Sequence, residues 1–323
     1  MTERPAAAIL AEAAHAAGYA PSIHNTQPWR WLVHDDLLDL YADRSRALPA
    51  TDPAGRLLTI SCGAALHHAI VALRADGWAA HVDLLPAPDV LARISLGMPV
   101  EVTADAMHTF QNLRLRHTDR RPVASSAPDP AAVRAVRDAA AFGGVNAHLL
   151  TREQVDRLGS ACAHADAVEA ADPSQRLEMA YWIGGDRISG AGMDLDVIPA
   201  EAPSGAVPGR DFVRTGALTA TGSGDDRAAA YLMLFGSGDE PADWLRAGQA
   251  LSAAWLAATG LGLSVLPFSS VIEVASVRED LRRSVLSGLG YPYLVVRLGV
   301  PDPDHGVAHT PRLPAEQTIT IDR

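Results

Sequence analysis

The amino-acid sequence predicts an α+β protein built from two related halves. Three observations carry that expectation. Apolar runs with helical spacing alternate with short strand-like runs along most of the chain. A unit of similar order occurs twice: "ISCGAALHHAIVALRADGWAAHVDLLP" and "LRAGQALSAAWLAATGLGLSVLPF" each pass through Gly, an Ala/Leu helix, Gly, a short strand and Pro. Finally, 323 residues with a 48% apolar share can bury a large core, in one large domain or two ordinary ones. Such a duplication suggests halves packed against each other as a pseudo-dimer.

Taken in order, an Ala-rich helix is expected from Ala6 to Ala17, stopping near Gly18. The polar turn "APSIHNTQPW" follows, with Ser22, His24, Asn25 and Gln27 close together. "WRWLV" and "LLDLYAD" read as a hairpin around Asp35 and Asp36. "LLTISCGAALHHAIVALRADGW" reads as a long buried helix ending before Gly77, and "AAHVDLL" as the strand after it. A second unit begins at about Pro122, with a helix from Asp129 to Ala141, a turn at Gly143 and Gly144, the strand-like "VNAHLLT" and a helix from Arg152 to about Ala171. "AAAYLMLFG" is a strong apolar strand, and "WLRAGQALSAAWLAATGLGL" a long apolar helix leading into "SVLPF". A helix containing "VREDLRRSVL" then precedes the strand "PYLVVRLGV". Between Ile183 and Asp226 the chain is rich in Gly, Pro, Ser and Ala, and no regular element is expected. A segment of that length is a functional lid or a linker. Met193, Leu195, Val197, Ile198 and Phe212 give it groups with which to dock, which favours a lid.

A net charge of −11 argues against nucleic acid or an anionic membrane as the main partner. All 27 basic residues are arginine. That removes a Schiff-base lysine and a G-K-[ST] phosphate loop, and leaves any anion site to the planar arginine fork. Cys62 and Cys162 lie too far apart in sequence to suggest a disulfide framework. Glu3, Glu12 and His15 interrupt the apolar core that a signal peptide needs, and no apolar run reaches membrane-spanning length, so a cytoplasmic protein is expected. Cys62 with His67 and His68, or Cys162 with His164 and Asp166, lack metal-site spacing, and no metal is expected. "GLGLS" follows a helix and lacks the G-x-G-x-x-G spacing of a dinucleotide site.

Two motifs carry chemistry. "RLRHTDRRP" gathers Arg116, Thr118, Arg120 and Arg121. Alone it reads as a solvated basic linker; in so acidic a chain it reads equally as a phosphate cradle, in which arginines and a hydroxyl give charge-assisted bonds to a dianion. The turn holding Ser22, His24, Asn25 and Gln27 reads as ordinary capping chemistry, or as amides facing a heterocycle that presents N–H and C=O together. There is no G-x-S-x-G elbow for a Ser–His pair.

Jointly, the motifs resemble those of the flavin-dependent nitroreductase fold. "APSIHNTQPW" is similar to the A-P-S-x-x-N-x-Q-P-W signature, "RHTDR" to the R-x-[ST]-x-[RK] phosphate motif, and "TPRLP" to the terminal basic motif. "AGQALSAAWLAATGLGLSVLPF" is similar to the dimer-core helix and the strand after it. The order departs from the ordinary family, in which the phosphate motif comes first. Here the Asn motif stands near the N-terminus, the arginine motif opens the second half, and "AAFGGVNAHLL" occupies the place of a second Asn motif.

That arrangement resembles the Acg subfamily. The resemblance implies a nitroreductase-like fold in two tandem halves, residues 1–112 and 113–323, with one FMN per chain and a lid insertion at 183–226. It implies that Arg116, His117, Thr118, Arg120 and Arg312 hold the FMN phosphate. Pro21, Ser22, His24, Asn25 and Gln27 would approach the ring and ribityl chain, and Pro267, Phe268, Ser269 and Ser270 would face N5. Serines stand at that last site where many members have Glu-Gly. With the chemistry in the flavin, no side chain is expected to act as nucleophile or general base. The implied reaction passes electrons from NAD(P)H through FMN to a small acceptor such as a nitroaromatic or quinone. A flavin-sequestering protein with little turnover, and an FMN-dependent dehydrogenase or oxidase, remain open at this point.

Overall fold

The computed structural model describes residues 4–200, 207–210, 212, 215–219, 226–301 and 309–322. The first half opens with α1 (Ala6–Ala17), which buries Ile9, Leu10, Ala13, Ala14 and Ala17 on one face, at helical spacing. The hairpin β1 (Trp29–His34) and β2 (Leu37–Ala42) turns at Asp35, whose φ is +50°. Next come α2 (Arg56–Ala75), β3 (Trp78–Ala87), β4 (Val90–Pro99) and α3 (Ala104–Leu115).

Neither β4 nor α3 is foreshadowed by the sequence reading. The strand β4 buries Val90, Ala92 and Ile94 in alternation, a pattern masked by Arg93 and Ser95 between and beyond them. Helix α3 buries only Ala106 and Leu113, too few to print an apolar period; its start is set by Thr103, whose hydroxyl accepts from the Ala106 N–H.

The second half comprises α4 (Pro130–Ala139), β5 (Asn146–Leu149), α5 (Arg152–Ala171), α6 (Pro173–Trp182), β6 (Ala230–Gly236), α7 (Pro241–Gly260), β7 (Ser264–Phe268), α8 (Ser270–Glu273), α9 (Ala275–Ser284) and β8 (Tyr291–Gly299). Asp129 caps α4 ahead of Pro130, and Thr151 with Gln154 forms a capping box on α5. A last strand, β9 (Ile319–Ile321), runs parallel to β1 and so returns the C-terminal tail to the first half.

Two sheets result, ordered β3-β4-β2-β1-β9 and β5-β6-β8-β7. Apart from β9 they share one plan. In each, the first strand pairs with the second, the second with the fourth and the fourth with the third, all antiparallel. A long helix, α2 in one and α7 in the other, links the second strand to the third.

These two helices form the seam of the molecule. Leu57 and Ile60 of α2 belong to the core around the second sheet, whereas Leu245 and Leu256 of α7 belong to the core around the first. The helices approach closely because glycines face backbone. A Cβ on Gly63 would overlap the Leu245 carbonyl oxygen, and one on Gly248 would overlap that of Ile60. The contacts are reciprocal: each glycine meets the residue three places before the other. By length and composition α2 is apolar enough to cross a membrane, but it lies buried inside the protein.

Within the segment 183–226, Met193, Val197 and Ile198 pack with Met179 and Ile183, and Leu195 and Phe212 rest against that cluster. Trp182 and Ala191 pack with Leu48 of the first half and Leu313 of the tail.

Candidate active site

The polar turn is held in a conformation that side chains rarely adopt. His24, Asn25 and Gln27 have φ of 45°, 55° and 50°. Such left-handed residues persist where surrounding bonds over-determine them, and they concentrate at functional sites. Here Ser22 Oγ accepts from the Gln27 N–H at 2.9 Å, and Ser61 Oγ of α2 accepts from the Ile23 N–H at 3.1 Å.

The arginine motif leaves the end of α3 and is pinned by the second sheet. Arg297, fully buried in β8, donates to the carbonyls of Asp119 and Arg121 at 2.8 Å and pairs with Asp226 at 2.7 Å. Asp226 also accepts from the Val123 N–H at 2.9 Å. Arg121 turns back onto Asp119 at 2.9 Å and does not border the cleft described next.

Arg116, Arg120 and Arg312 do border it; Arg116 is buried, and Arg120 and Arg312 are half-buried. Arg116 lies over the Trp255 ring at 4.6 Å and makes one long bond, 3.4 Å, to the Tyr19 carbonyl. Arg120 donates to the Val197 carbonyl at 3.2 Å and to Met193 Sδ at 2.9 Å. Arg312 donates to Asn25 Oδ1 at 2.7 Å and Thr310 Oγ1 at 2.8 Å. Among the described residues none of the three forms an ion pair, and Nε of Arg116 and of Arg312 has no partner. Burial draws Arg120 and Arg312 down to about 10; burial, reinforced by Arg312, takes Arg116 well below its usual value.

The cleft has a volume of about 1140 Å³, its mouth included. It brings together Pro21, Ser22, His24 and Asn25 of the first half, Arg116, Thr118 and Arg120 after α3, Pro267 to Ser270 of the second half, and Arg312 of the tail. His117 lines a smaller recess that shares Arg116, Thr118, Arg120 and Arg312 with the cleft. Gln27 lines neither.

The two amides do work that the sequence did not suggest. Asn25 Nδ2 donates to the carbonyls of Gly192 at 2.8 Å and Pro311 at 3.0 Å. Gln27 Nε2 donates to the Gly190 carbonyl at 2.7 Å, and its Oε1 accepts from the Leu313 N–H at 2.9 Å. Both therefore clamp the turn to the 183–200 segment and to the tail. His24 is buried, and among the described residues Nε2 has no partner; burial, then Arg210, lowers its pKa to about 3, so the ring is neutral.

Several cleft residues were missed, among them Ser61 of α2, Trp255 of α7, and Met193, Arg210 and Phe212 of the 183–226 segment. Arg210 is held between two buried carboxylates, Glu273 of α8 at 2.7 Å and Glu169 of α5 at 2.8 Å. Burial opposes ionisation of Glu273, but Arg210 overcomes it and holds that carboxyl low. Burial, against the pull of Arg210 and with the help of Glu273, pushes Glu169 up to about 8. No sequence signal links these three, which lie on separate elements.

Comparison with known proteins supplies the family. No protein-family model matches the chain. A Mycobacterium tuberculosis protein provisionally named an NAD(P)H nitroreductase is 37% identical over 307 residues, covering 93% of this chain and 88% of its own. The chain belongs to this nitroreductase family. The family includes acg of the same organism, also provisionally named an NAD(P)H nitroreductase, which is 30% identical over 319 residues, covering 97% of this chain and 96% of its own. A solved FMN-bound nitroreductase from Bacteroides fragilis is similar at 14% identity, with a TM-score of 0.42 over 67% of this chain and 98% of that one.

Proposed function

We propose that the cleft binds FMN and that this nitroreductase-family chain is an oxidoreductase passing electrons from NAD(P)H to a small acceptor. The observation that carries the reading is the set of three arginines lining the cleft, Arg116 buried and Arg120 and Arg312 half-buried, with no carboxylate ion-pair partner among the described residues. Uncompensated buried charge is strongly unfavourable, and a phosphate dianion relieves it with charge-assisted bonds. Thr118 and Thr310 add hydroxyls at the same place. Elsewhere Leu57, Ile60, Leu251, Leu266 and Phe268 offer an apolar surface on which a planar ring can stack.

When bound, FMN supplies the reversible two-electron chemistry. The chain then binds, orients and shields. The arginines would neutralise the FMN phosphate, the Pro267–Ser270 stretch would border its ring, and Met193, Pro199 and Phe212 would exclude water as a lid. We further read the molecule as two fused copies of one unit, residues 1–112 and 113–323, each keeping one part of a split site. The shared strand plan and the reciprocal Gly63 and Gly248 contacts support this, being what an isologous dimer seam produces. A cytoplasmic location accords with a supply of NAD(P)H.

Arg116→Ala or Arg120→Ala should each weaken FMN binding by about 2–5 kcal/mol, the usual effect of removing one side of a buried charge contact. Flavin absorbance of the purified variants measures it, and full occupancy in both overturns the phosphate assignment. One observation favours a second reading, a flavin-sequestering protein: Asn25 and Gln27 bind the lid backbone from beneath. Bleaching of the flavin by NAD(P)H and recovery with a nitroaromatic selects the reductase; a flavin that stays oxidised selects sequestration.

A further inference from the structure

We propose that Trp255 is the positioning residue that lets Arg116 stay buried without a carboxylate partner, and that it thereby gives the cleft a preference for FMN over riboflavin. The inference rests on the FMN reading above and adds a residue that belongs to neither sequence motif. Arg116 is 4% exposed, and its guanidinium lies over the Trp255 ring, 4.6 Å from the centroid. Among the described residues its one hydrogen bond is the long 3.4 Å contact of Nη2 with the Tyr19 carbonyl. Trp255 also fixes the residue after Arg116, because its indole N–H donates to the His117 carbonyl at 3.2 Å. A single side chain of α7 thus holds both the cation and the backbone that leads to Thr118.

An aromatic ring does here what a carboxylate cannot. A carboxylate beside Arg116 would neutralise the charge and then compete with a phosphate dianion for the same N–H groups. The negative face of a ring stabilises the cation, more strongly where both are desolvated, and leaves its charge in place. The ring takes up the flat face of the guanidinium, whereas a phosphate is met by the N–H fork at its edge. Arg312 borders the same recess, so Arg116 also needs support against a like charge.

The other half of the molecule supplies the contrast. Helices α2 and α7 are each 20 residues long and carry Gly63 and Gly248 at the same place. Aligned on those glycines, the position of Trp255 in α7 is that of Ile70 in α2. A residue needed only to fill the seam could be aliphatic in both helices. The ring stands on the helix that meets the arginine motif, and its counterpart lies in the half with no such motif ahead of α1.

The test titrates the full chain, stripped of flavin, with FMN and with riboflavin, read by quenching of flavin fluorescence. Trp255→Leu removes the ring and its N–H, whereas Trp255→Phe keeps an aromatic face and loses the N–H. Fluorinated tryptophans placed at position 255 alone keep the shape and the N–H but drain the negative face of the ring. FMN affinity should fall about ten- to hundred-fold in Trp255→Leu, the combined scale of a desolvated cation–π contact and a hydrogen bond. It should be partly restored in Trp255→Phe and should decline stepwise with added fluorine. Riboflavin affinity should match that of wild type throughout. If Trp255→Leu does not fold, the fluorine series decides alone, because it leaves the packing unchanged. Equal loss of both flavins overturns the proposal by making Trp255 a ring contact or a purely structural residue, and so does FMN affinity that is indifferent to fluorination. Wild-type protein that binds FMN no better than riboflavin overturns the phosphate assignment. Wild-type protein that binds neither overturns the cofactor reading, and the proposal falls with either.

Discussion

At Arg297 one side chain with no exposed surface joins three stretches of chain: the strand that bears it, the loop at Asp119 to Arg121, and Asp226. The arginine motif was legible because arginines clustered around a hydroxyl are unusual in an acidic chain. Its internal division was not, since sequence does not show which way a loop side chain points. Arg116 and Arg120 enter the cleft, whereas Arg121 pairs with Asp119. Arg297→Met should leave Asp226 buried without its cation, costing about 3–5 kcal/mol. Thermal denaturation measures that, and flavin content should fall with it because the motif loses its anchor.

Between elements, the α2–α7 seam and the α5–α8 clamp on Arg210 dominate. The seam was partly readable, because both helices printed long apolar patterns. The exchange of their side chains between the two cores was not, because periodicity names a buried face without naming its partner. Gly63→Ala or Gly248→Ala forces the helices apart at backbone and should destabilise by about 1–3 kcal/mol, read from denaturant midpoints.

The clamp makes stability depend on pH. Glu169 is raised from 4.5 to about 8, so between those values the folded protein binds more protons than the unfolded chain and stability falls as pH rises. Glu273 is lowered from 4.5 to about 2, so its contribution is present above 4.5 and is lost as pH falls toward 2. Glu169→Gln should flatten the decline between pH 4.5 and 8 in thermal midpoints measured against pH. An unchanged slope would remove Glu169 as its source.

For the whole molecule, the C-terminal tail decides how the halves close around the cleft. It leaves the second sheet, delivers Arg312 and Leu313 to the polar turn, and ends as β9 beside β1. Truncation after Pro314 removes β9 and should lower the thermal midpoint by several degrees, on the order expected for about 1–2 kcal/mol in a domain of this size. FMN retention should drop as well, because Arg312 loses the strand that fixes its approach.

By itself the sequence determined most of the helices and strands, those whose apolar periods are local, but not α3, α6, α8, β4 or β9, and it marked the polar turn and the arginine cluster as the two chemical regions. Only the tertiary structure decided what the side chains there do. Asn25 and Gln27 meet Gly192 and Gly190, partners 167 and 163 residues away in sequence. Arg116, Arg120 and Arg312 stay unpaired because no described carboxylate reaches them, while Arg210 is held by two. Charge compensation is set by distance in space and by burial, and neither is written in the local order of residues.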